Sequence, residues 1–200
     1  PFGRRFRLLE TMRQFAAEQL AEDGDTDVLA ARHARWCLDE VIAIRRLLEG
    51  HDEIQGVTRL DELWPNLRGA VDWACATGDL RLATALIGPV AAEIYLRSRS
   101  EIGDWAERIL AITPPDDEDV IAFGLTWAAR RYMRNLDLDG YERLVGRYGE
   151  PDRPMIRYAR AFLTDDYEGR AEAAAWAVTE LRRRGEHYVA DLNELVAVGL

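Results

Sequence analysis

Apolar residues recur at steps of three and four along almost the whole chain, and that spacing admits one kind of secondary structure. Leu9, Met12, Ala16 and Leu20 share one stripe of a helix over 9–22. Gly24 stops it, and Thr26 or Asp27 can cap a second helix over 27–49, with Leu29, His33, Cys37, Val41, Ile44 and Leu48 on one face. A third helical stretch over 53–76 runs through Leu60, Leu63, Leu67, Val71 and Ala74. Pro65 within it should kink the helix or start a new one, because proline lacks the N–H and crowds the preceding turn. Further helices are predicted over 79–97, over the short segment EIGDWAERILAI, and over 119–135, 139–147, 154–163, 167–183 and 187–198. Only the first eight residues read as strand-like; alternating patterns and Asn-Gly hairpin signals are otherwise absent.

The breaks repeat as well. GDL, LDGY and DDYEG each set Asp or Gly before an aromatic residue or Leu, between two helices, and alanine-rich stripes such as YEGRAEAAAWAV follow. Small residues let antiparallel helices approach closely, while the aromatic fills the space beside the turn. This is the logic of helix-hairpin repeats, in which each hairpin buries its apolar face on the next. The spacing wanders from the tetratricopeptide period of about 34 residues, and no unit matches that consensus well. The expected fold is therefore all-α, a tetratricopeptide-like solenoid of antiparallel helix hairpins.

Charge and chemistry exclude several functions. The net charge is −10, with −3 in residues 1–100 and −7 in residues 101–200, so the main body repels phosphate backbones and direct nucleic-acid binding is disfavoured. Every basic side chain is arginine. Without lysine there is no Walker-type phosphate loop and no Schiff-base chemistry within this stretch. Cys37 and Cys75 form no close-spaced pair, which fits a reduced, cytoplasmic setting. The longest apolar run, LATALIGPVAAEIYL, is interrupted by Pro89 and Glu93 and is shorter than the roughly 20 residues a membrane span needs.

Few residues invite a catalytic reading. Ser98 and Ser100 sit in no nucleophile elbow, and GRYG fits no nucleotide fingerprint. His33 and Cys37, four apart on one helix face, could supply half of a zinc site, but His51 and Cys75 lie on other elements without metal spacing. The run DDED at 116–119 reads as acidic first-turn residues placed at the positive end of a helix dipole rather than as a cation site. His187 reads as a turn residue. The abundant carboxylates leave open an all-α enzyme with a carboxylate-lined cavity. The sharpest binding candidate is Arg130, Arg131 and Arg134 in WAARRYMRNL, a local positive patch on an acidic chain. It is either a solvated helix face or a docking point for an acidic partner segment.

The phrases RRFRLLETMRQFAAEQLAEDGD, ARHARWCLDEV and LDELWPNLRGAVDWACATGDLRLATALIGPV carry a resemblance. Over about residues 4–90 the chain resembles the large bacterial STAND-class regulators, in which an NB-ARC-type ATPase and a winged-helix module precede tetratricopeptide-like repeats. Some members end in a LuxR-type DNA-binding domain, and some carry a nucleotide cyclase at the front. FRLLETMRQFAAEQL looks like the last winged-helix strand and the helix after it. PNLRGAVDWACATGD looks like the family segment DNLRAALDWALERGD, with Pro65 in place of the commoner acidic residue.

The resemblance implies that residues 1–24 end a winged-helix module and link it to a helical-repeat domain over 25–200. It also implies that the basic opening strand belongs to a small sheet begun in preceding sequence, so that the chain is expected to be a piece of a longer protein. The expected role is a non-catalytic sensor or scaffold in a signal-transducing ATPase transcriptional regulator. Its repeats would bind an effector or partner protein, it would hold no cofactor or metal of its own, and it would answer to an ATPase domain upstream in the same chain. A stand-alone helical-repeat interaction scaffold is the alternative.

Overall fold

A computed structural model describes residues 25–114, 116–149 and 152–185, together with Met12, Gln19, Ala190, Asp191 and Glu194. The strand-like opening and most of the helices expected over 9–22 and 187–198 lie outside the described residues. Among those described the fold is all-α and contains no strand. The elements are α1 (Thr26–Leu48), α2 (Glu53–Thr77), α3 (Leu80–Ile87), a 3₁₀ turn (Gly88–Val90), α4 (Ala91–Leu96), α5 (Glu101–Ile112), α6 (Glu118–Asn135), α7 (Leu138–Tyr148), α8 (Pro154–Leu163) and α9 (Tyr167–Arg183).

The core follows the apolar stripes. Ala34, Cys37, Val41, Ile44 and Leu48 of α1 are buried against Leu60, Leu63, Leu67, Ala70, Val71 and Ala74 of α2. A fully buried Leu or Ile of this kind contributes about 1.5–3 kcal/mol. The predicted stripe of α1 is only partly used: Leu29 is exposed and His33 half-buried, so the first turns leave the core. The main core continues through α3 to α8, where it takes in Ile156 and Ala159. Beyond it Met155 and Tyr158 of α8 pack with Ala173 and Ala174 of α9 in a smaller cluster.

One expectation about a proline segment needs correction. The helix predicted over 79–97 is not one helix. Pro89 has no N–H to offer the preceding turn, and the chain passes through the 3₁₀ turn Gly88–Val90 between α3 and α4. Pro65, expected to kink the helix or start a new one, starts none: α2 runs through it. The bond it removes would have gone to the carbonyl of Asp61, and both residues are exposed, so water can replace the lost donor. Pro114 acts as a terminator: Thr113 before it is extended at φ −73°, ψ 130° and ends α5.

The three recurring breaks are one structure made three times. Gly78, Leu136 and Asp165 each adopt a left-handed conformation, at φ 76°, 54° and 56°. The amide of the next residue then reaches back five residues, Asp79 to the Ala74 carbonyl, Asp137 to Tyr132 and Asp166 to Ala161, at 2.9, 3.0 and 2.8 Å. Each of these aspartates caps the following helix by accepting from the amide three residues on: Leu82, Gly140 and Gly169, at 3.0, 2.8 and 2.9 Å. Tyr141, just inside α7, is fully buried and donates its hydroxyl to the Ile156 carbonyl at 2.8 Å.

A second regularity links side chains far apart in the sequence. Among the described residues, seven pairs 33 to 39 positions apart share side-chain hydrogen bonds: His33 with Asn66, Arg68 with Glu101, Arg81 with Asp117, Arg108 with Asp72, Arg99 with Asp61, Tyr148 with the Leu110 carbonyl, and Arg134 with the Tyr95 carbonyl. Such a constant offset arises when successive hairpins of similar length lie in similar register.

Candidate functional site

Helix α6 sets the geometry of the predicted arginine patch. It buries Val120, Gly124, Leu125, Trp127, Ala128 and Ala129, and contacts α5, α7 and α8. Consecutive residues on a helix point about 100° apart, so Arg130 and Arg131 cannot serve one face.

Arg131 belongs to the α5–α6 seam. Its guanidinium meets Asp104 at 2.7 Å and Glu107 at 3.2 Å, and its stem lies over Gly103. Arg130 and Arg134 turn instead toward aromatic rings. Arg130 stacks 4.8 Å from Trp127 and 5.2 Å from Tyr95 of α4. Burial pulls its guanidinium below the ordinary arginine value, while the neighbouring Tyr95 and Tyr158 work the other way. Arg134 sits 4.1 Å above the Tyr95 ring and donates to the Tyr95 carbonyl at 2.5 Å. Tyr95 and Phe123 flank Trp127 at 6.0 and 6.5 Å. The patch read from sequence is therefore two arginines on an aromatic platform plus one arginine in a helix seam.

Two exposed apolar residues lie close to the platform in the chain. Leu96, next to Tyr95 in the chain, is 45% exposed, and Leu136, two residues past Arg134, is 73% exposed. Sequence reasoning passed over Tyr95, Leu96 and Leu136. The one signal for Tyr95 is the recurring offset, which puts it 39 residues before Arg134.

The other candidates fall into place separately. The Cys37 sulfur lies 3.8 Å from His33 Nε2, which also meets Asn66 Oδ1 at 3.2 Å. Burial, helped by the charge of Glu40, pushes the Cys37 thiol up to about 11. Burial also raises Cys75, against the opposing pull of Arg108. His51 is exposed in the turn between α1 and α2, and His187 lies outside the described residues. Among the described residues no three or more His, Cys, Asp and Glu side chains cluster as metal ligands. Glu118 and Asp119 occupy the first turn of α6, the place expected for the DDED run, and Asp117 pairs with Arg81 at 3.4 Å.

A shallow groove of about 270 Å³ lies between α8 and α9. Arg157, Arg160, Asp166 and Glu172 line it beside Trp176. Its charges are mixed and partly used: Arg157 binds Asp152 at 2.6 Å and stacks 5.0 Å from Trp176. No helix among the described residues is long and apolar enough to cross a membrane.

Compared with protein-family models, with curated proteins and with solved structures, the chain matches none.

Proposed function

We propose that this chain is a sensor or scaffold region without catalytic activity of its own, a tetratricopeptide-like stack of helix hairpins that belongs to a signal-transducing ATPase transcriptional regulator and binds a partner protein or small effector. The observation that supports this most is the repeated corner combined with the 33-to-39-residue offset between stacked helices. Helices joined with so little loop, and tied to the next hairpin by side chains, move as packed rods. A ligand that binds one arrangement of such rods better than another shifts the balance between them. In the proposed protein that shift passes through residues 1–24 to an ATPase domain in preceding sequence, in the cytoplasm, and this region makes no direct contact with nucleic acid.

The test begins with the gene. The reading frame that contains this chain is expected to encode a GxxxxGK[ST] segment before residue 1. Deleting residues 25–200 from the complete protein should then change its rate of ATP hydrolysis. A reading frame without that segment overturns the ATPase-coupled reading and leaves a stand-alone interaction scaffold.

A further inference from the structure

We propose that the surface around Tyr95 and Arg134, beside which Leu96 and Leu136 are exposed in the chain, binds an acidic protein segment in which carboxylates alternate with apolar side chains. This deepens the scaffold reading by naming its partner surface, and the site can fail while that reading stands.

Leu136 is the first reason. It holds a left-handed backbone at φ 54°, which a branched side chain rarely adopts, and its side chain is 73% exposed. The same corner after α2 uses Gly78, so the turn itself does not require leucine. Leu136 is thus strained and largely faces water. Strain of this kind gathers where a partner is held. Leu96 adds a second exposed apolar side chain beside Tyr95.

Arg134 is the second reason. Long side chains usually lose freedom on binding, but this one is already pinned by the Tyr95 ring and carbonyl. A guanidinium carries five N–H donors in a rigid fork suited to a carboxylate, and stacking on tyrosine keeps that fork oriented. Trp, Tyr and Arg are also the residues on which binding energy concentrates at protein interfaces.

Charge selects the occupant. On a chain of net charge −10, an acidic segment is repelled by most of the surface and directed to this cationic face. A nucleic acid would meet the same repulsion along its whole length with few arginines to offset it.

The test uses the full chain and a fluorescein-labelled peptide of alternating Asp and Leu, read by anisotropy, with an Asn-for-Asp peptide as control. Binding to the Asp peptide alone is expected, weaker in high salt and about tenfold weaker for Arg134→Gln. Leu136→Gly should weaken binding while its melting temperature stays level or rises, an outcome that separates a binding role from a structural one. Indole N–H signals should shift for Trp127 and not for Trp176. Several results would overturn the site: no binding, equal binding of the Asn peptide, unchanged affinity in both variants, or shifts confined to Trp176. Effector control of ATP hydrolysis that survives Arg134→Gln and Leu136→Gly would sink this surface while sparing the scaffold reading.

Discussion

Gly103 and Arg131 meet in the seam between α5 and α6: a Cβ built on Gly103 would sit 2.6 Å from Arg131 Cδ and 2.8 Å from its Cβ. The absent side chain lets the Arg131 stem cross the helix and reach Asp104 and Glu107. A few turns away Gly124 plays the same part under Leu110, where an added Cβ would come within 2.5 Å of Cγ.

Gly103→Ala should therefore lower stability by about 1–3 kcal/mol, because the crowded atoms include Arg131 Cβ, which cannot swing aside. Alanine's better helix propensity, worth up to about 1 kcal/mol, opposes the loss without cancelling it. Urea unfolding measures the difference; a variant as stable as the parent would show that the seam relaxes freely.

The corner before α7 predicts a pair of effects. Asp137→Ala removes the cap on Gly140 N and should cost about 1 kcal/mol. Gly140→Ala should cost about 1–3 kcal/mol, since its Cβ would run into both the Tyr132 ring and the Asp137 carboxylate. Both changes disturb one corner, so the double variant should lose less than the two single losses added together. Additive losses in denaturant melts would separate the cap from the close approach.

Pro65→Ala should stabilise the chain by about 1–2 kcal/mol. The substitution restores an N–H to the Asp61 carbonyl inside a helix that continues through this position, and the exposed ring gives up little packing. A fall in melting temperature would mean that proline's limit on the unfolded chain outweighs the missing bond.

Alkali should weaken the fold in a defined window. The Cys37 thiol rises from 9.0 to about 11 in the folded chain, and the Tyr132 phenol from 10.0 to about 12. Burial is the main cause in both, with Glu40 adding to Cys37 and Glu107 to Tyr132. A raised folded value means that the folded chain holds the proton more tightly. The stabilisation is complete below the unfolded value and is lost as pH climbs through the window between the two. Stability should fall from about pH 9 upward, and Cys37→Ala should flatten that fall between 9 and 11 while lowering stability at neutral pH. A slope unchanged by the substitution would show that Cys37 does not titrate in the folded chain.

Much of this arrangement is legible in the sequence because it is local. Cys37, Val41, Ile44 and Leu48 share a face by spacing alone, and the corners announce themselves through Asp and Gly beside an aromatic or Leu. The two interior prolines look alike in sequence yet act differently, because the outcome depends on whether the carbonyl left without a donor can reach water. The arginine patch was visible as charge, and a spacing of four sets Arg130 and Arg134 on one face, but what each face meets was not visible. Which arginine meets Asp104 and which meets Tyr95 depends on how α6 is rotated between α5 and α4. Helix rotation is set by tertiary packing that no single segment encodes.

The corners also limit how such a chain can change length. Adding one residue between Leu136 and Tyr141 would turn α7 by about 100° and carry Tyr141 away from the Ile156 carbonyl. Single-residue insertions should accordingly be poorly tolerated there, whereas duplication of a whole hairpin preserves every interhelical register. Growth in a molecule of this kind proceeds in complete modules.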